Sequence, residues 1–165
     1  MSDRFQSFRE ALAQTGVESS DFDLNPEVTL PEGRSLRPAG VLAPVFDTGA
    51  RLELILTKRS SALKHHPGQI AFPGGKQDGG DADVIAAALR EAREEIGLPS
   101  EIVEVLGVLP AHETVTGFSV TPVIGYVTSE FTVVPEPGEV EEVFRVPLDH
   151  VLNPSNYLVH SRRWR

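Results

Sequence analysis

The chain has 165 residues, of which 40% are hydrophobic, a formal net charge of −9 and no cysteine. This composition is typical of one globular domain, the negative charge argues against non-specific nucleic-acid binding, and the lack of cysteine excludes disulfides and cysteine-based zinc sites. No apolar run approaches the roughly 18 residues of a membrane span, and residues 1–16 lack an apolar signal core. We therefore expect a cytoplasmic protein with neither nucleic-acid nor membrane partners.

The first part of the chain is predicted to hold one short helix and little other regular structure. Apolar residues recur at helical spacing from Arg4 to Gln14, which predicts a helix there. The segment from Asp21 to Pro38 is rich in Pro, Asp and Gly and is predicted to be an irregular connection. We therefore expect residues 1–38 to precede a domain formed by residues 39–165.

After this connection, the chain alternates predicted strands with loops and one long helix. Apolar and β-branched runs predict strands at Ala39–Phe46, Leu52–Arg59, Ile102–Leu109, Val120–Val127 and Val140–Val146. The other predicted segments are a loop at Ser60–Gln69, an apolar stretch at Ile70–Phe72, a break at Pro73–Gly75, a helix at Ala82–Ile96 and a helical turn at Leu148–Leu152. Strands interleaved with few helices predict an α+β fold, an α/β/α sandwich in which helices flank a mixed β-sheet.

Charge is distributed unevenly around the centre of the sequence. From Arg51 to Lys76 the chain is basic, with Glu53 as its single acid, and from Gly80 to Glu104 it is predominantly acidic. A basic stretch followed by an acidic helix is the pattern expected of a phosphate-binding loop beside a metal site. Two solvated surfaces of opposite charge would produce the same pattern.

The predicted central helix carries three carboxylates that should lie close together. Glu91, Glu94 and Glu95 are spaced i, i+3 and i+4, so their side chains share one side of the helix. Each like-charge pair costs about 0.2–0.5 kcal/mol on an isolated helix. A divalent cation such as Mg²⁺ or Mn²⁺, which prefers oxygen ligands, would remove this conflict. An exposed acidic helix without a metal is the alternative.

The sequence around these glutamates resembles a known motif. Residues 75–98 read GKQDGGDADVIAAALREAREEIGL, which resembles the Nudix box, G-x5-E-x7-R-E-U-x-E-E-x-G-U. The matching residues are Gly75, Arg90, Glu91, Ala92, Glu94, Glu95, Gly97 and Leu98. Asp81 departs from the motif twice, because it replaces a glutamate and because eight residues, not seven, separate it from Arg90. Asp81 could serve the site or could only cap the helix.

The resemblance implies a Nudix fold whose loop–helix–loop binds Mg²⁺ or Mn²⁺ and cleaves a pyrophosphate bond in a nucleoside diphosphate derivative. Carried over by position, the metal ligands are Glu91, Glu94, Glu95 and the backbone carbonyl of Gly75. Arg90 would orient the glutamates, and the general base would be Glu94 or Glu139, between which the sequence does not decide. Glu139 could also be a solvated surface acid.

The segment before the box resembles the signature of one branch of this family. Residues 56–75 read LTKRSSALKHHPGQIAFPGG, which is similar to the L-L-T-x-R-S-x-x-L-x-x-H-x-G-Q-x-x-F-P-G-G of coenzyme A pyrophosphatases. The substrate-binding residues that this implies are Lys58, Arg59, His66, Gln69 and Phe72. The implied reaction converts coenzyme A, or an acyl derivative, to 3′,5′-ADP and a 4′-phosphopantetheine product. His66 and Gln69 could instead hold the loop, and Phe72 could belong to the core.

Other functions are compatible with the same residues. A Nudix hydrolase for another dinucleotide or a nucleotide sugar, such as NADH or ADP-ribose, would use the basic loop equally well. A catalytically silent Nudix module that binds nucleotide is a second alternative. An acidic protein-interaction domain without chemistry is a third, but it leaves the box unexplained.

The end of the chain carries a further expectation. Members of the coenzyme A branch continue into another helix after a segment like Arg162–Arg165, whereas this chain ends there, as a short variant or as a truncated C-terminal part. A missing helix would leave apolar sheet surface exposed, which favours a homodimer.

Overall fold

The computed structural model describes residues 3–14 and 16–161, and its elements follow the predicted order. The helices are α1 (Asp3–Ala13), α2 (Val84–Ile96) and α3 (Leu148–Leu152), with short 3-10 turns at Ser100–Ile102 and Pro154–Asn156. The strands are β1 (Ser19–Ser20), β2 (Arg37–Asp47), β3 (Leu52–Arg59), β4 (Ile70–Ala71), β5 (Gly74–Lys76), β6 (Val103–Val108), β7 (His112–Glu113), β8 (Phe118–Val127) and β9 (Val140–Pro147). The segment Arg162–Arg165 lies outside the described residues.

The strands form one mixed sheet, as predicted. Its main path runs β1-β7-β8-β2-β3-β4, and β5, β6 and β9 pair beside β2, β8 and β3 respectively. The central pair, β2 and β8, is parallel over residues 37–46 and 118–127, whereas β3 and β5 lie antiparallel to β2. Along its other edge, β2 pairs first with β5 and then with β3, so the short strand that leads into α2 lies in the middle of the sheet.

Helices cover both faces of this sheet, which confirms the predicted α+β sandwich. On β2, Leu42 and Phe46 pack in a cluster with α2, while Ala43 and Val45 pack in a second cluster with α1 and α3. This division follows the alternation of side chains along a strand. Both clusters consist of aliphatic and aromatic side chains, and burying each large one stabilises the fold by about 1.5–3 kcal/mol.

Local signals determine where α2 begins and ends. The Asp83 carboxylate accepts a hydrogen bond from the Ala86 N–H at 2.8 Å and caps the N-terminus. Gly97 ends the helix with a φ of 74°, a left-handed conformation that favours glycine. The helix therefore begins at Val84, two residues after the predicted start, and Asp83 rather than Asp81 is its cap.

Glycine allows α2 and β5 to approach the centre of the sheet. A Cβ atom at Gly40 would lie 2.0 Å from the carbonyl oxygen of Val84, so only glycine lets the first turn of α2 contact β2. Likewise, a Cβ atom at Gly74 would lie 2.6 Å from the Cα atom of Val41. The prediction that Pro73–Gly75 breaks regular structure was wrong at its end, because Gly74 and Gly75 pair with β2.

No helix within the described residues is long and apolar enough to span a membrane.

Candidate active site

The last turns of α2 place Glu95 inside the protein, beside the β5 backbone. Its exposed fraction is 7%, and its Oε2 atom accepts a hydrogen bond from the Gly74 N–H at 3.3 Å. Burial raises the pKa of Glu95 to about 7, and the negative charges of Glu91 and Glu139 add to this effect. The ionised form of a buried carboxylate with like charges nearby is unfavourable unless a cation or a proton binds to it.

Glu91 lies one turn earlier on α2, directly against Gly75. A Cβ atom at Gly75 would lie 2.7 Å from the Oε1 atom of Glu91, so a larger residue there would displace the carboxylate. Burial raises the pKa of Glu91, Arg90 lowers it, and the charges of Glu94 and Glu139 raise it again. Glycine at position 75 therefore brings a backbone segment and a partly buried carboxylate together.

Arg90 connects the glutamates to the loop before the helix. Its Nη1 atom donates hydrogen bonds to Glu91 at 3.0 Å and to Glu94 at 3.2 Å, and its Nη2 atom donates to the carbonyl of Lys76 at 3.2 Å. Asp81 accepts two further bonds, from Nε at 2.9 Å and from Nη2 at 3.0 Å. Hydrogen bonds from Arg90 lower the pKa of Asp81, and Asp81 in turn raises the pKa of Arg90. Every nitrogen of the Arg90 side chain is thus bound to the site.

The two candidate general bases differ in their partners. The Glu94 side chain is 59% exposed and is held by Arg90. Glu139 lies in the loop before β9, where its carbonyl accepts a hydrogen bond from the Ser60 N–H at 2.8 Å, and its charge raises the pKa of both Glu91 and Glu95. Both carboxylates therefore lie near the partly buried Glu91, and Glu139 also lies near the buried Glu95.

The donor atoms of these residues are compatible with the metal site predicted from the sequence. Among the described residues, no group of three acidic or histidine side chains converges to hold an ion, since Glu91 and Glu94 face Arg90 and Glu95 faces the Gly74 N–H. The donors are nevertheless carboxylate oxygens, which Mg²⁺ and Mn²⁺ prefer. Burial, and to a lesser extent repulsion between the carboxylates, raises the pKa values of Glu91 and Glu95, and a bound cation would favour their ionised forms. The donor set thus fits a hard divalent cation.

The predicted substrate-binding residues lie in different parts of this region. Arg59 ends β3 close enough to Glu95 to lower its pKa, and its Nε atom is buried without a hydrogen-bond partner in the described part of the chain. A buried donor without a partner is costly, which makes an anionic ligand favourable there. Lys58, the preceding residue, instead pairs with Glu141 at 3.6 Å.

The other three predicted binding residues follow Arg59 along the chain: His66 and Gln69 lie in the loop before β4, and Phe72 lies between β4 and β5. His66 is exposed and has a φ of 53°, an uncommon value for a residue other than glycine. Gln69 is exposed, and its backbone pairs with those of Arg59 and His66. Phe72 packs against the second core cluster, which supports the structural alternative for this residue.

The sequence of this chain is similar to those of known proteins. The NUDIX domain family matches residues 36–164, which is most of the chain. The chain belongs to the Nudix family. Several relatives bear the name "Uncharacterized Nudix hydrolase NudL", and one from Enterobacter sp. (strain 638) is 49% identical over 73% of this chain and 62% of its own length. Another, from Pectobacterium atrosepticum, is 42% identical over 87% of this chain and 76% of its own length.

Solved structures show the same fold. The crystal structure of RenU, a Nudix hydrolase from M. smegmatis, aligns with a TM-score of 0.59 at 26% identity, covering 73% of this chain and 78% of RenU. The predicted Nudix fold is therefore confirmed. The match to the Enterobacter relative spans less than two thirds of that protein.

In the Nudix box of this chain, sequence reasoning left the role of one residue open and missed the burial of another. Asp81 binds Arg90 despite the shift in spacing, and its side chain is only 6% exposed. Glu95 was expected beside Glu91 and Glu94 but is buried against Gly74. Its position three residues after the buried Ala92 is a signal for this, because i and i+3 share a helix face.

Proposed function

We propose that this chain hydrolyses the pyrophosphate bond of a nucleoside diphosphate derivative with the help of Mg²⁺ or Mn²⁺, and that coenzyme A or an acyl-CoA is its preferred substrate. The observation that carries this proposal is the pairing of Glu91 and Glu95 with the backbone of Gly75 and Gly74. Two partly or fully buried carboxylates beside a glycine backbone without side chains are suited to a cation that also contacts phosphate oxygens.

The ligands would be the carboxylates of Glu91, Glu94 and Glu95 with the Gly75 carbonyl. When bound, the cation would neutralise charge on the diphosphate and make water a stronger nucleophile. Arg90 would keep Glu91 and Glu94 oriented through the hydrogen bonds described above, and Asp81 would hold Arg90 in place.

A general base must accept a proton from the attacking water, and the contacts favour Glu139 over Glu94. The Glu94 carboxylate already accepts a hydrogen bond from Arg90 Nη1, so it is engaged in holding the guanidinium. The Glu139 carboxylate makes no hydrogen bond or ion pair with another described residue, yet its charge acts on Glu91 and Glu95. Glu139 would therefore accept the proton on its carboxylate oxygen.

Coenzyme A is favoured by the segment from Leu56 to Gly75 and by the charge of its loop. The molecule carries a diphosphate and a 3′-phosphate, which require cationic donors outside the metal site. Arg59 offers a buried Nε–H without a partner within residues 3–14 and 16–161, close to Glu95. Lys64 is exposed further along the same loop. We propose that Arg59 binds the diphosphate and that Lys64 contacts the 3′-phosphate.

A substrate panel tests both the proposed hydrolase activity and the proposed preference for coenzyme A. We expect kcat/KM with Mg²⁺ or Mn²⁺ to be highest for coenzyme A, lower for NADH and ADP-ribose, and zero in excess EDTA, with 3′,5′-ADP as a product. Equal or higher values for NADH or ADP-ribose would exclude the coenzyme A assignment and leave the hydrolase assignment intact. Failure to cleave any diphosphate with either metal would exclude both.

A further inference from the structure

A cavity of about 700 Å³ lies outside the cluster of carboxylates, between the irregular N-terminal connection and the end of the described chain. Its apolar lining comes from Phe22, Leu24 and Val28 of the connection, Val115 of the β7–β8 turn, and Val159. Its volume is within the range of about 300–1,000 Å³ that small-molecule sites occupy. Leu24, Val28, Val115 and Val159 are all substantially exposed, so the cavity is open to a ligand.

The polar lining has hydrogen-bonding capacity but little charge. Asn25, His160 and Ser161 line the cavity, and their side chains make no hydrogen bond to another described residue. Asp21 also lines it, but its two oxygens already accept bonds from His112 at 2.9 Å and from the Val115 N–H at 2.8 Å. No lysine or arginine is found among the described lining residues.

The residues that line the cavity suit some parts of a nucleotide conjugate better than others. A phosphate group would face the Asp21 carboxylate without a cationic donor from the described lining, which is unfavourable. An uncharged chain with amide and hydroxyl groups could instead exchange hydrogen bonds with Asn25, His160 and Ser161. Its apolar parts would pack against Phe22 and Val28, as expected for sites that combine an apolar lining with a few polar groups.

The cavity is connected to the proposed active site by the loop that follows Arg59. Burial raises the pKa of Asp21, but hydrogen bonds from Val115 and His112 and the charges of His112 and His66 bring it below its usual value. His66 therefore lies near the Asp21 side of the cavity. Arg59, at the start of the same loop, lies near Glu95. One loop thus runs from Arg59, near Glu95, to His66, whose charge acts on Asp21 in the cavity lining.

We infer that this cavity binds the uncharged, amide-bearing arm of the substrate, which in coenzyme A is the pantetheine chain, while the phosphates remain at Arg59 and the carboxylates. The inference rests on the proposed function for its choice of substrate. It adds a specificity site, formed largely by residues 21–28, which lie between β1 and β2, and by residues 159–161, which follow the last strand.

The first test measures binding without catalysis. Pantetheine is added to the metal-free full chain in EDTA, and backbone amide resonances are followed by NMR. We expect saturable shifts at Phe22 and Val115. Val28→Trp should weaken binding at least 5-fold by filling the cavity, whereas the control Val17→Trp, at a position 91% exposed and outside the lining, should change it less than 2-fold. Absence of saturable shifts in the unmodified chain, or equal binding by both variants, would overturn the inference.

The second test separates this inference from the proposed function. With coenzyme A and Mg²⁺, Val28→Trp should raise KM at least 5-fold with little change in kcat, and Val17→Trp should change neither. An unchanged KM in Val28→Trp would overturn the cavity assignment while hydrolysis stands. Pantetheine binding at the cavity in a chain that cannot hydrolyse coenzyme A would support the cavity and refute the proposed function.

Discussion

Asp81 binds Arg90 through two parallel hydrogen bonds, from Nε to Oδ1 at 2.9 Å and from Nη2 to Oδ2 at 3.0 Å. This is the bidentate geometry that gives an arginine–carboxylate pair both strength and direction. It leaves the Nη1 atom of Arg90 directed to Glu91 and Glu94. Asp81 is therefore a positioning residue that acts on the candidate metal ligands through Arg90.

Asp81→Asn should lower kcat by about 10- to 100-fold, the usual cost of removing a group that orients metal ligands. The asparagine amide would point one N–H₂ group at the guanidinium, so one of the two bonds would be lost. KM for the substrate should change little, because Asp81 contacts Arg90 and not the proposed phosphate site.

The matched control is Asp78→Asn, which changes an exposed carboxylate 3.5 Å from Arg90 in the same loop. It should retain nearly full activity, since exposed ion pairs of this kind contribute little. Equal losses in both variants would contradict the positioning role of Asp81.

Gly75→Ala should disturb the Glu91 carboxylate without unfolding the protein. The added Cβ atom would meet the Glu91 Oε1 and Cδ atoms at 2.7 Å, so the carboxylate would have to move away from the backbone. We expect about a 10- to 100-fold fall in activity, comparable to the loss of ligand orientation, together with weaker Mn²⁺ binding. Gly79→Ala is the control, because a Cβ atom there would meet nothing within 4 Å. Wild-type activity in Gly75→Ala would show that activity does not depend on the observed position of the Glu91 carboxylate.

Local signals explain why most of the fold could be predicted from the sequence. An apolar and β-branched run identified β3 at Leu52–Arg59, and the Gly97 stop identified the end of α2. Strand β5 could not be predicted, because Gly74 and Gly75 have low strand propensity and pair with β2 through a long-range contact. The sequence offered only Asp81 as a cap and placed Asp83 inside the helix, whereas α2 begins at Val84 and Asp83 caps it.

The stability of the metal-free protein should depend on pH through Glu95. Burial raises the pKa of Glu95 in the folded state to about 7, above the value of 4.5 for an unperturbed glutamate. The folded state therefore binds this proton more tightly than the unfolded state. The resulting stability is fully present below about pH 4.5 and is lost as the pH rises through 7, by an amount on the order of 3 kcal/mol.

Glu95→Gln removes this dependence while retaining an oxygen that can accept from the Gly74 N–H. In EDTA, we expect the variant to match the wild type near pH 4.5 and to have a higher free energy of unfolding at pH 8, measured by urea denaturation. A variant that is equally or less stable than the wild type at pH 8 would contradict the assigned burial of the Glu95 charge.

The candidate site was predictable in its residue types but not in its full arrangement. Spacing alone showed that Glu91, Glu94 and Glu95 lie within one turn of each other, because helix geometry is local. It could not show that Arg90 donates hydrogen bonds to both Glu91 and Glu94. Nor could it show that the Nε–H of Arg59 is buried without a partner in the described part of the chain. Those features depend on how the loops around β3 and β5 pack, which no local pattern encodes.

The central claim is that the α2 glutamates bind the divalent cation that supports hydrolysis. Its most direct test is a Mn²⁺ titration, followed by electron paramagnetic resonance, with coenzyme A hydrolysis measured on the same samples. The double variant Glu94→Gln/Glu95→Gln is compared with the control Glu101→Gln, which changes an exposed glutamate beyond the end of α2. We predict that the double variant loses at least about 100-fold in Mn²⁺ affinity and in turnover while remaining folded, and that the control matches the wild type. Wild-type Mn²⁺ binding and turnover in the double variant would contradict the claim.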